Sequence, residues 1–284
     1  MSDLKLPPST RLGTLHLKVR DHKKLARFYQ DKLGLKIQRQ DDGSTGLGCG
    51  GEDLVSLNQV PVGLEAGRHA SLYHFCLAVQ NREDLGWWLR RLLDSGYELQ
   101  GLVDHRMAEA IYLEDPEGNG IELNWDRPRS EWRPWSEWLA MGNAPLDVPG
   151  LLEANEAAGP RGELPSDTRV GHVHLHLGDL EKGKAYFVAA LGLDQTTEIP
   201  GQAVFTSAGG YHHHIAFNVW KGRNVPPQPQ GAFGLDHLTL ILPQAGDVAA
   251  AAARLKAAGF GVEPMDYGIL SRDPSQHGIY LTND

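Results

Sequence analysis

Four stretches of the chain alternate apolar and polar residues at period two, and each runs on through a turn into an apolar stripe at helical spacing. They begin at Arg11 (RLGTLHLKV), Ser71 (SLYHFCLAV), Arg169 (RVGHVHLHL) and Gly234 (GLDHLTLIL). Such alternation predicts a half-buried strand, and the stripe that follows predicts an amphipathic helix. The helical stretches stop at Gly34, Gly96, Gly192 and Gly259, glycine being the residue that most easily closes a helix in the left-handed conformation. Shorter alternating runs separated by turn residues come next, as in KIQRQ, GLGCG and LVSLN, or YELQG, AIYL and GIELNW. The unit predicted is therefore βαβββ, present four times.

The segments from Arg11 and Arg169 match at a constant offset of 158, so the two halves are duplicates, and each half is itself doubled. A single module of this kind cannot cover both faces of its small sheet. Modules are therefore expected to pair, their curved sheets forming two barrel-like cavities in which a ligand would sit. The fold class expected is α+β, with modules one and two over 9–126, a connector over 127–168, and modules three and four over 169–284. The connector is rich in Pro, Gly and charge. Its Trp132, Trp135 and Trp138 are expected to pack down on the first half.

With 284 residues, 41% of them hydrophobic, the chain can bury a substantial core. A net charge of -9 without a dense Lys/Arg cluster argues against nucleic acid or anionic lipid as partner and favours a small molecule. No apolar run has the length of a signal peptide or a membrane span, so a cytoplasmic protein is expected, and a homo-oligomer. Cys49 and Cys76 are the only cysteines and imply no disulfide framework. Histidine is the unusual component: there are thirteen, three of them consecutive at His212, His213 and His214.

The stretch VDHRMAEAIYLEDPEGNGIE, from Val103 to Glu122, carries the most chemistry. Its two apolar runs flank a turn rich in Asp, Pro and Gly, which is a hairpin signal. Adjacent strands would aim the phenol of Tyr112 and the carboxylate of Glu122 at one volume, with His105 nearby.

Together the repeats resemble the vicinal oxygen chelate superfamily, which includes glyoxalases, bleomycin-resistance proteins and type I extradiol ring-cleaving dioxygenases. Within it, His105, five residues, an apolar residue and Tyr112, then Asp-Pro, Gly and Glu122, resemble the extradiol signature, and GGYHHHIAFNVW resembles catechol 2,3-dioxygenases. The resemblance implies a metal ligand on each first strand, seven residues before the residue that opens the helix, and another on the last strand. That register selects His74, His172 and His237, with Thr14 in module one. His16 lies two residues further on and is out of register. The last strands carry Glu122 in module two and Tyr280 in module four. Pairing modules two and three would gather His74, His172 and Glu122, leaving Thr14, His237 and Tyr280 for the pair of modules one and four. Pairing one with two and three with four would leave both sites incomplete.

Two imidazoles and one carboxylate on one face of a metal leave adjacent positions open, the facial triad of non-haem Fe(II) oxygenases. The resemblance thus implies Fe(2+), with Mn(2+) as the alternative, and a reaction of O2 with a small aromatic diol to a muconic semialdehyde. His213, in HHIAF, would be the acid-base histidine. His105 and Tyr112 would hydrogen-bond the substrate oxygens. His16, His174, His176 and His237 are expected to be core or rim residues. Strand alternation would separate His213 from His212 and His214. The rival functions are a metal-dependent lyase or isomerase of glyoxalase type, and a non-catalytic binding protein of bleomycin-resistance type.

Overall fold

A computed structural model of the chain describes residues 5–64, 67–160 and 162–283. The βαβββ order holds in all four modules. Module one comprises β1 (Arg11–Val19), α1 (His22–Leu33), β2 (Lys36–Gln40), β3 (Ser44–Gly48) and β4 (Asp53–Gln59). Module two comprises β5 (Ser71–Val79), α2 (Arg82–Asp94), β6 (Gly101–Asp104), β7 (Ala108–Glu114) and β8 (Gly120–Asp126). The connector holds α3 (Trp135–Met141), β9 (Ala144–Pro145) and α4 (Val148–Ala158). Module three comprises β10 (Arg169–His176), α5 (Leu180–Lys184), β11 (Asp194–Ile199), β12 (Ala203–Ser207) and β13 (Ile215–Asn218). Module four comprises β14 (Gly234–Ile241), α6 (Ala245–Ala257), β15 (Val262–Met265), β16 (Gly268–Arg272) and β17 (Gly278–Thr282).

Local chemistry sets these boundaries. Asp21 caps α1 by accepting from the backbone N–H groups of Lys23 and Lys24, and Asp179 does the same for α5 through Glu181 and Lys182. Helix α1 ends at Gly34 in the left-handed conformation (φ 74°). Any Cβ there would also meet the Trp87 ring at 2.5 Å, so glycine is required on both counts. Strand β6 starts at Gly101, later than the alternation in YELQG predicts. Tyr97 instead turns onto Phe28 (ring centroids 5.1 Å) and donates to the Glu114 carbonyl, and the chain joins β7 only where Gln100 N–H reaches the Tyr112 carbonyl.

The chain forms two compact units that interleave in sequence. One consists of Asp21–Gln59 and His74–Gly171. Its strands run β4-β3-β2 and β5-β8-β7-β6-β9. Leu25, Tyr29 and Leu33 of α1 and Leu85, Trp88 and Leu92 of α2 are fully buried or nearly so, and the Trp88 indole donates to the Leu33 carbonyl at 2.8 Å. The connector belongs to this unit. Trp138 is buried against Met107 and Ala108, with Trp132 and Trp135 packed beside it, as the sequence predicts. The alternation and stripe patterns do not reach the connector elements, although Asp147 caps α4 by accepting from Gly150 N–H and Gly159 closes it.

The other unit consists of Met1–Arg20, Val60–Tyr73 and His172–Asp284. Its strands run β15-β16-β17-β14-β1 and β11-β12-β13-β10. None of the four strand runs closes into a barrel. Strand β1 pairs antiparallel with β14, so the opening strands of modules one and four lie side by side, with His16 opposite His237. Helix α5 continues as a π-helical turn over 185–190 that buries Tyr186 and Phe187 completely.

The DPEG turn between β7 and β8 is fixed from within. Asp115 accepts from Glu117 N–H (2.8 Å), Asn119 N–H (3.0 Å), the Asn119 amide (2.9 Å) and the Tyr29 hydroxyl (2.9 Å). Burial nevertheless outweighs these donors and pushes its carboxyl up to about 6. A folded pKa above the ordinary carboxylate value near ~4 stabilises the protonated fold. That contribution is full below about pH 4 and is lost as the pH rises through about 6. Urea midpoints should therefore fall across this window more steeply in the wild-type chain than in Asp115→Asn. Tyr29→Phe removes one donor from the buried carboxyl, and the same titrations at one pH should register a loss of about 1.5–3 kcal/mol.

Candidate active site

The β7–β8 hairpin places Tyr112 directly opposite Glu122, and β5 runs parallel to β8 with Cys76 beside Glu122. His74, two residues before Cys76, brings its Nε2 to 3.0 Å from Glu122 Oε2. Both side chains are nearly buried, at 7% and 3% exposure. A carboxylate so withdrawn from water needs a cationic partner or hydrogen-bond donors close by, or else takes up a proton. The Tyr112 ring stands edge-on to His74, centroids 5.5 Å apart. Its hydroxyl lies 2.8 Å from His105 Nε2, and His105 Nδ1 lies 3.0 Å from Asn143 Oδ1 of the connector.

The turn that carries His105 is anchored at both ends. Asp104 accepts from Arg106 N–H at 2.6 Å, and His105 N–H donates to the Ala108 carbonyl at 2.8 Å. Below it, buried Glu109 takes Arg82 at 2.7 Å and Arg127 at 2.8 Å. His105, Tyr112, His74 and Glu122, singled out in the sequence, are thus brought together in one unit.

In the other unit, the ligand-capable atoms of His172, His212 and His213 all lie within 4.8 Å of one another. His172 stacks at a tilt on His213 (centroids 4.1 Å) and meets His212 edge-on at 5.8 Å. The triplet precedes β13 in a turn, so strand alternation does not govern it, and His212 as well as His213 faces His172. Only His214 turns elsewhere, its Nδ1 accepting from Ala208 N–H at 3.2 Å. The closeness of His212 had no signal beyond the triplet itself. That of Asn143 had none.

Four further strand histidines make other contacts. His174 packs among Tyr73, Phe205 and Trp220. His176 lies against Asn218, and burial holds its imidazole below the usual range. His16 stacks on His237 with centroids 4.0 Å apart, and the Tyr280 ring lies 6.1 Å from His237. Burial opposes ionisation of the neighbouring Asp236, yet hydrogen bonds from His237 and Lys18 hold its carboxyl well below the carboxylate range. Among the described residues, no converging cluster of three metal-binding groups includes His16 or His237. Both cysteines are buried and unbridged, and burial pushes the Cys49 thiol up to about 11. Among the described residues, no helix is long and apolar enough to cross a membrane.

Comparison with known proteins agrees with this architecture. The family model of the glyoxalase/bleomycin resistance protein/dioxygenase superfamily matches residues 11–123 and 169–277. The catechol-2,3-dioxygenase of Bacillus subtilis (strain 168) is 39% identical over 279 residues, covering 96% of each chain. Among solved structures, a putative dioxygenase from Bacillus subtilis superposes with a TM-score of 0.63 at 17% identity, covering 96% of this chain and 85% of its own. Glyoxalase I from Zea mays superposes with a TM-score of 0.61 at 16% identity, covering 97% and 92%. The chain belongs to the glyoxalase/bleomycin resistance protein/dioxygenase superfamily, in its four-module form. The two structural likenesses speak for the fold; the Bacillus subtilis catechol-2,3-dioxygenase is the relative that bears on chemistry.

Proposed function

We propose that the protein is an extradiol dioxygenase, which cleaves a catechol-type ring beside its diol with O2 and yields a muconic semialdehyde. The observation that carries this reading is the buried His74–Glu122 pair with Tyr112 set opposite the carboxylate. The 39% identity to a protein named catechol-2,3-dioxygenase supports it across nearly the whole chain. The first half would supply His74 and Glu122 as metal ligands and the second half His172. The pairing of β1 with β14 supports this division, since it sets the opening strand of module one beside that of module four.

The donor set suits the metal proposed. One carboxylate and two neutral imidazoles would hold a divalent cation of borderline softness and leave room for further ligands. Fe(2+) held by these three side chains would supply the redox coupling between an electron-rich ring and dioxygen, and Mn(2+) could take the same place. The chain's own residues then handle protons and orientation. His213, packed on His172, would accept the second phenolic proton and later return one as the ring opens. Tyr112 and His105 would line the diol on the side of module two. Both oxygen atoms of O2 enter the product, and one ring C–C bond breaks, so the reaction needs no further reductant.

The test combines metal binding with turnover. The purified chain should take up about one equivalent of Fe(2+) or Mn(2+). His172→Ala, His74→Ala and Glu122→Ala should each lower metal affinity by about 100-fold or more, beyond what loss of an outer-sphere partner costs, whereas His16→Ala should leave it unchanged. Anaerobic loading followed by O2 and a panel of substituted catechols should give the yellow ring-cleavage product with matching O2 uptake. Metal binding without O2 uptake would favour the glyoxalase-type reading, and absence of both would favour a ligand-binding protein.

A further inference from the structure

The connector delivers one side chain into the site. Strand β9 is only two residues long, but it extends the sheet past β6, with Pro145 opposite Val103 and Ala144 opposite Asp104. Gly142, at a positive φ of 66°, turns the chain out of α3 into β9, and its carbonyl accepts from Arg106 Nε at 3.3 Å. Trp138 ties α3 down on Met107 and Ala108. These fastenings hold Asn143 against the turn that carries His105.

The consequence lies in where protons sit. Asn143 Oδ1 is a carbonyl oxygen and only accepts, so a bond to it requires the proton to be on His105 Nδ1. The neutral ring then presents a lone pair at Nε2, and the Tyr112 hydroxyl 2.8 Å away donates into it. With its one proton directed to His105, Tyr112 meets the substrate as a hydrogen-bond acceptor. The opposite tautomer would reverse this: Nε2–H would donate to the phenol oxygen, and Tyr112 would be a donor to substrate.

We propose that Asn143 is a positioning residue that fixes the tautomer of His105 and thereby makes Tyr112 an acceptor for one hydroxyl of the arriving diol, the other being the one whose proton passes to His213. This rests on the dioxygenase reading for its role in turnover, but not for the tautomer itself. The side chain is exposed, so its removal should leave the fold intact.

Long-range 15N correlation of the histidine rings in the full chain at pH 8 reads the tautomer directly. The wild type should show Nδ1–H at His105. Asn143→Ala should shift the ring to Nε2–H with the thermal midpoint unchanged, and Asn143→Asp, which keeps an oxygen at the same reach, should retain Nδ1–H. In the metal-loaded enzyme, Asn143→Ala should lower kcat/KM for catechol about tenfold, the low end for an outer-sphere partner, and Asn143→Asp should restore most of it. A wild-type ring in the Nε2–H form, or one unmoved by Asn143→Ala, would overturn the proposal. A changed tautomer with unchanged kcat/KM would overturn its functional half. Lack of any turnover by the wild type would instead count against the dioxygenase reading, and the ring signals would still decide this one.

Discussion

A carboxylate withdrawn from water must be matched by positive charge, satisfied by hydrogen-bond donors or protonated, and the way this chain meets that demand at Glu122 organises its candidate site. Neighbouring strand β7 supplies the contrast. Glu109 is as buried as Glu122, at 3% exposure, and is met by two guanidinium groups in the ordinary structural manner. Glu122 is instead met by an imidazole, His74, across the parallel β5–β8 pair. Guanidinium groups would neutralise the carboxylate permanently, whereas an imidazole leaves it able to share a divalent cation.

Register is what makes that meeting possible, and an internally bonded turn sets the register. Asp115 ties the DPEG turn to its own backbone and to Tyr29, so β7 and β8 are held with Tyr112 opposite Glu122. Module four repeats the device. Buried Asp273 accepts from Ser275 N–H, His277 N–H and His277 Nδ1, which sets Leu270 opposite Tyr280. Two copies of one turn thus present a carboxylate in one place and a phenol in the other. On the last strand Glu122 in module two stands against Tyr280 in module four, whose His237 stacks on His16.

The fold was legible wherever periodicity was long enough to speak. Each opening strand and each helix could be read from nine or more patterned residues, as in β1 and α1. Part of the site was legible too: His74 lies on such an opening strand, and Tyr112 and Glu122 flank a turn rich in Asp, Pro and Gly in a stretch that resembles the extradiol signature. What escaped was decided by tertiary contact. Strand β9 has two residues, too few for any pattern, and exists because β6 offers an edge. Asn143 was invisible because its meaning depends on that edge. The late start of β6 follows from Tyr97 packing on Phe28, which the alternation in YELQG does not encode. The orientation of His212 follows from a turn where strand alternation was the wrong guide.

The proposed function requires His74, Glu122 and His172 to hold one metal ion. Anomalous diffraction from crystals grown anaerobically with Fe(2+), collected on both sides of the iron edge, locates that ion without reference to activity. A single strong peak per chain, in bonding contact with all three side chains, is the result the account predicts. A peak on His16 and His237, or one held by His172, His212 and His213 without Glu122, would contradict it.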